Sequence, residues 1–316
     1  MEIRDAEGEQ VRLRNVALVS LVIQNAGWVL ASKYTFRQGA ERYSQAVVVL
    51  VAELIKLFLC LSFELRECKW SVPILFKSMS LSRSNAIMTV PSCLYVVQNI
   101  AQMHAVNGLP PAVYVTCAQL KVVTSAIFSV CMLNRRLTFG QVLSFFPLMA
   151  GVALVQLDNS IARTSTLHFN SMLILLLAVT LSGFSGVLLE MVFKRTGGSI
   201  WTKNVFLSVF SVPFACYAVF EDMKPLGVTS DISDVFRGFD LAVWCVILLL
   251  SAGGVLTALV MKYAGALTKC YAVSVSIIVC ALFSSLFEAL GQKLTLNVLL
   301  GSTFVICSVF QYQRAD

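Results

Sequence analysis

Charge is scarce in this chain. Asp, Glu, Lys and Arg make up 13% of its 316 residues, about half the ~25% of a soluble domain. With 58% hydrophobic residues and a mean hydropathy of +0.80, that scarcity excludes an ordinary cytosolic enzyme and a disordered chain. Histidine is nearly missing: His104 and His168 are the only two and stand far apart, so no metal centre is expected and no cofactor is implied. The ten cysteines contain no Cys-x-x-Cys. All but Cys68 fall in or at the edge of apolar runs as small hydrophobes, which excludes a secreted disulfide scaffold. No small-residue cleavage site precedes the first apolar run, so that run reads as an uncleaved anchor. Also missing are a phosphate-binding loop, an acidic prenyl-diphosphate motif, and any His/Asp or Ser/His pair within an apolar run, which argues against an enzyme.

What is there is long hydrophobic runs. A bilayer core needs ~20 mostly apolar residues per helix. Such runs lie near 15–32, 44–63, 86–106, 111–133, 139–157, 171–193, 201–220, 240–261, 266–290 and 296–312. The first is the weakest, carrying Gln24, Asn25 and Ser32. The reading is an all-α integral membrane protein of ten transmembrane helices. The net charge of +7 is a topology signal and not a footprint for nucleic acid. Of 24 Lys and Arg, 15 fall on the side holding both termini and 7 on the other, which predicts cytosolic termini.

The midpoint of the chain invites a search for an internal copy. Arg136-Leu137-Thr138 opens the fifth run and Lys293-Leu294-Thr295 the tenth; at the same offset Leu143 matches Leu300, Val152 matches Val309 and Gln156 matches Gln313. Five runs per half is an odd number. The prediction is one transporter domain over 1–316, built from two inverted five-helix repeats at about 15–157 and 171–312, with a site near the midplane between them. Ten spans and a repeat argue against a seven-helix receptor.

Charged residues inside spans are costly and mark pathways or pairs. Glu53 and Lys56 stand three apart on one helix. They can satisfy each other, or serve a ligand. Lys121 lies mid-span with no acid in reach on its own helix. Its charge calls either for a remote acid such as Glu53 or for an anionic substrate, and the second is favoured. Tyr95, Gln98, Asn99 and Gln102 fall on one helix face, and Tyr114, Ala118 and Lys121 on another. The amides suit a nucleobase edge; the alternative is interhelical hydrogen bonding. Ser182-Gly183-x-Ser185-Gly186 and Ser251-Ala252-Gly253-Gly254 allow close helix approach or line a cavity.

These residues carry a resemblance. Val90-Pro91-Ser92 through Tyr95-x-x-Gln98-Asn99, Ala112-Val113-Tyr114 through Gln119-Leu120-Lys121, Met132-Leu133-Asn134-Arg135, Trp201-x-x-Asn204, and Gly253-Gly254 through Lys262-Tyr263 and Lys269 resemble the nucleotide-sugar transporters of the CMP-sialic acid, UDP-galactose and UDP-N-acetylglucosamine branch. The resemblance implies the drug/metabolite-transporter fold and residence in the Golgi membrane, or that of the ER. It implies exchange of a cytosolic nucleotide sugar for a lumenal nucleoside monophosphate, with membrane lipid as surroundings and a homodimer left open. It makes Lys121 and Lys269 phosphate-facing, with Tyr95, Gln98, Asn99 and Tyr114 in the cavity. Asn204, Glu53 and Lys56 complete the candidate substrate-binding set. The chain departs from the pattern at Phe206, Ser208, Thr116-Cys117-Ala118 and Cys270, positions expected to shape the cavity. The runner-up is an exporter of another small anionic metabolite on the same fold; a multispan enzyme or receptor is the reading from a different class.

Overall fold

The computed structural model describes residues 2–36, 43–80, 86–134, 136–156, 165–195, 199–223, 235–263 and 295–315, with Val273, Ser276, Val279, Cys280 and Phe283 between the last two segments. Within these residues every regular element is helical. The helices are α1 (Glu2–Thr35), α2 (Gln45–Glu67), α3 (Val72–Ser78), α4 (Thr89–Gly108), α5 (Pro111–Cys117), α6 (Lys121–Leu133), α7 (Phe139–Gln156), α8 (Ser165–Arg195), α9 (Ile200–Met223), α10 (Leu241–Tyr263) and α11 (Leu296–Arg314). A 3₁₀ turn at Ala118–Leu120 joins α5 to α6.

Among the described residues six stretches are long and apolar enough to cross a membrane: Asn15–Thr35, Gln45–Glu67, Val113–Leu133, Phe169–Val192, Ile200–Met223 and Leu241–Val260. Two shorter apolar helices, Phe139–Leu154 and Leu296–Tyr312, accompany them. This is the architecture of a multi-pass membrane protein. The α4 helix is 20 residues long, but Gln98, Asn99, Gln102, His104 and Asn107 make it too polar to join the six. The expected span at 266–290 lies almost wholly outside the described residues.

Local chemistry sets the helix ends. Ser44 caps α2, its hydroxyl accepting from the Val47 amide at 3.2 Å. Pro110 precedes α5 and Pro111 opens it, where a missing N–H costs nothing. Asn134 ends α6 in the left-handed conformation, φ 52°, which Asn tolerates. The two threonines of the internal copy both act as caps. Thr138 and Gln141 form a reciprocal capping box at α7, with bonds of 2.9 and 3.3 Å. Thr295 accepts from the Val298 amide at 3.4 Å before α11.

The helices pack in a definite pattern. The most extensive contacts join α7 to α11, α8 to α4, α9 to α2 and α1 to α10, followed by α8 to α6, α10 to α2 and α9 to α4. At the α7–α11 seam Gly151 lies so close to α11 that a Cβ there would sit 2.5 Å from the Gly301 carbonyl oxygen. The main apolar core runs through α1, α2, α4, α5, α8 and α10, with Val48, Val49, Met103, Val106, Val113 and Ile247 fully enclosed.

Candidate substrate cavity

A cavity of about 240 Å³ opens among α1, α2, α4, α5, α6, α8, α9 and α10, slightly smaller than the ~300–1,000 Å³ typical of small-molecule sites. Eight of the nine expected site residues line it: Glu53, Lys56, Tyr95, Gln98, Asn99, Tyr114, Lys121 and Asn204. Lys269, the ninth, lies outside the described residues.

The α2 wall holds the paired charges. Lys56 Nζ lies 2.6 Å from both Glu53 carboxylate oxygens and donates to Oε1. Both side chains are buried and bond to each other, and both also line the cavity. The space for Lys56 is made by α10: a Cβ at Gly254 would sit 2.6 Å from Lys56 Cδ, and one at Gly253 2.5 Å from Gln24 Nε2. Gln24 then donates to the Leu249 carbonyl at 2.8 Å, and Asn25 to Ser276 Oγ at 2.7 Å. The amides that weaken the first span thus tie it to its neighbours.

The α4 wall presents the polar stripe. Tyr95, Gln98, Asn99 and Gln102 all line the cavity, as their shared helix face requires. Gln98 Oε1 accepts from Ser185 on α8 at 3.3 Å, and Gln102 Oε1 from the Tyr114 hydroxyl at 3.3 Å. The interhelical role of the amides is therefore real, and it coexists with exposure to the cavity. Trp28 sets its ring 6.1 Å from that of Tyr114, tilted by 58°.

The third wall departs from expectation. Residues 111–133 read as one continuous helix, yet the 3₁₀ turn interrupts it immediately before Lys121. Lys121 therefore opens α6 at the cavity edge. Gly183 permits this approach: a Cβ there would collide with Thr124 Oγ1 and lie 2.9 Å from the Ser125 amide nitrogen. Thr124 Oγ1 bridges the walls, donating to the carbonyls of Lys121 (3.1 Å) and Val179 (3.2 Å). On α9, Asn204 lines the cavity while its amide donates to the Ile200 carbonyl at 2.9 Å.

Several wall residues were not among the expected nine: Gln24, Asn25, Trp28, Gln102, Gln119 and Thr257. Trp28 Nε1 and Gln119 Oε1 are buried with no hydrogen-bond partner among the described residues. Two departures from the family pattern prove not to be wall residues. Phe206 packs into an apolar cluster with Met88, Leu189 and Val192, and Ser208 is fully buried, while Leu207 between them faces the cavity. Cys68, expected in a loop, is buried at the end of α2 with its thiol toward Glu64. No group of three metal-ligating side chains occurs among the described residues.

Comparison with known proteins bears on the whole chain. The UDP-N-acetylglucosamine transporter of Rattus norvegicus is 33% identical over 313 residues, covering 95% of each chain. The UDP-galactose transporter of Schizosaccharomyces pombe is 32% identical over 99% of this chain and 91% of its own. A solved crystal structure shares the fold with a TM-score of 0.61 at 13% identity, covering 95% of this chain and 97% of its own. The pattern that defines the family described as nucleotide-sugar transporters matches residues 9–313, and the chain belongs to that family.

Proposed function

We propose that this chain is a Golgi or ER antiporter that exchanges a cytosolic nucleotide sugar for a lumenal nucleoside monophosphate. UDP-galactose and UDP-N-acetylglucosamine stand ahead of CMP-sialic acid as substrates. The observation that carries the reading is the convergence of all eight described candidate residues on one cavity. That cavity offers a lysine at a span interruption, a row of amides and tyrosines, and a buried ion pair. Lys121, joined by Lys269, meets the phosphates. Tyr95, Gln98, Asn99 and Tyr114 hold the nucleoside. The Glu53–Lys56 pair supplies both donors and acceptors, which suits sugar hydroxyls. Trp28 Nε1 and Gln119 Oε1, without partners among the described residues, favour a polar guest, because buried polar groups ordinarily find partners.

The packing pattern supports two inverted repeats within ten spans. Exchanging α1 with α8, α2 with α9, α4 with α10 and α7 with α11 turns the α1–α10 contact into α8–α4 and the α2–α10 contact into α9–α4. It maps α2–α9 and α7–α11 onto themselves. This is the pairing expected of halves related by a two-fold axis with a central site. The basic bias supports cytosolic termini.

The test is uptake of labelled CMP- and UDP-sugars into proteoliposomes preloaded with CMP or UMP. Preloaded vesicles take up far more of one UDP-sugar than empty ones. Equal rates and extents in both would refute obligatory exchange, and uptake of no nucleotide sugar would refute the substrate class.

A further inference from the structure

The segment that follows α2 exposes more apolar surface than a loop in water tolerates. Trp70 is 69% exposed, Val72 52%, Ile74 54% and Phe76 74%, all within seven residues of chain. The far end of this segment is anchored. The Met79 amide bonds to the Leu75 carbonyl at 2.9 Å, and Met79 packs against the clusters around Trp201 and Phe206. The chain is thus held to the body just after α3, while Val72, Ile74 and Phe76 stay exposed around the helix, Val72 and Phe76 on the same face.

Its position relative to the membrane follows from α2. That helix has 23 residues, about 35 Å at ~1.5 Å per residue, enough to cross a hydrocarbon core of ~30 Å. Its last turn carries exposed Arg66 and Glu67, so the chain reaches the headgroup level there. It then turns sharply: Lys69 and Trp70 both adopt the left-handed conformation, φ 52° and 60°. The Trp70 amide returns to the Leu65 carbonyl at 2.9 Å, a helix-ending motif that reverses the chain direction. The exposed apolar row therefore begins at the headgroup level and continues the lipid-facing surface of the spans. Arg66 and Lys69 precede it, both exposed, on the side of the chain richer in basic residues.

We infer that residues 70–76 form an in-plane anchor whose Val72 and Phe76, on one helix face and preceded by Trp70, lie in the interfacial layer of the bilayer that the protein spans, against phospholipid. Tryptophan at the headgroup level, apolar side chains beneath and basic residues at the rim are the pattern of interfacial helices. The occupant of this face is lipid, and neither a second copy of the chain nor a soluble protein.

The experiment places a benzophenone amino acid at position 76 of the full chain, reconstituted in mixed phosphatidylcholine and phosphatidylserine vesicles, with products of illumination read by mass spectrometry. Position 146 on α7, where Phe146 is 70% exposed, serves as the lipid-facing control and reports a folded, inserted protein. The expected result is phospholipid adducts at position 76 in a yield within about twofold of the control. No lipid adduct at 76 while 146 labels would overturn the inference by placing α3 in water. A chain-to-chain adduct in place of lipid would overturn it in favour of a second copy.

Discussion

Lys56 and Lys121 line the same cavity from different walls, and the two walls treat an ammonium group differently. Lys56 sits inside a continuous helix, and Glu53 one turn earlier holds it at 2.6 Å. The pair is neutral as a unit and carries its counter-charge wherever α2 goes. Lys121 opens a helix at an interruption of its span, and Lys121–Leu133 contains no acid. Each wall also has its glycine: Gly254 clears the Lys56 stem, and Gly183 clears Thr124 one turn after Lys121. The difference teaches that a cationic residue in a span is no site by itself. A pair within one helix offers dipolar recognition, whereas Lys121 reaches the cavity from a helix that carries no acid of its own.

The largest expected effect comes from splitting the pair. Lys56→Ala leaves the Glu53 carboxylate buried without its counter-ion, an expected loss of about 3 kcal/mol in stability. Thermal unfolding in detergent measures it, and the double change Glu53→Gln with Lys56→Met recovers most of the loss. An unfolding temperature equal to that of the unaltered protein in Lys56→Ala would show that the pair does not hold this wall.

The glycines sharpen the contrast. Gly183→Ala drives a methyl into Thr124 and the Ser125 backbone, which cannot step aside, at a cost of ~1–3 kcal/mol. Gly186→Ala, three residues on, meets nothing within 4 Å and should stay within ~0.5 kcal/mol of the parent. Size-exclusion survival after heating ranks the two, and equal survival would contradict the packing at α8–α6. Gly254→Ala is gentler, because the Lys56 side chain can yield; its stability loss is below ~1 kcal/mol, at the low end of overpacking. Its mark is on recognition: displacing Lys56 should weaken nucleotide-sugar binding more than monophosphate binding. Equal weakening of both would detach the α2 wall from the sugar.

Much of this arrangement is legible in the chain, and the reasons differ by residue. Tyr95, Gln98, Asn99 and Gln102 declare a cavity face because helical spacing gathers them and lipid forbids them elsewhere. Glu53 and Lys56 declare a pair by their spacing alone. The interruption before Lys121 is hidden, since no Gly or Pro occurs between Ala112 and Leu133. Its 3₁₀ turn packs against α8, a contact that no local sequence signal announces. Gln24 and Asn25 register in the sequence only as a weakness of the first span; that they bond to Leu249 and Ser276 depends on contacts more than 200 residues away. Cys68 turns back to Glu64 one turn earlier, and the non-local link is the bond that Glu64 accepts from Thr202 at 2.7 Å. Phe206 and Leu207 are neighbours of similar polarity, and only the rotation of α9 sends one to the core and the other to the cavity.

The central claim is that this cavity binds a nucleotide through Lys121, and affinity measured on folded protein tests it most directly. Removing a charge-assisted contact costs ~1.5–3 kcal/mol, so Lys121→Ala should bind nucleoside monophosphate about ten- to a hundredfold more weakly. Lys121→Arg should recover part of the loss, since it keeps the charge and changes its shape. The nucleoside without phosphate should bind both proteins alike. An unchanged monophosphate affinity in Lys121→Ala would contradict the account and return this lysine to a structural role.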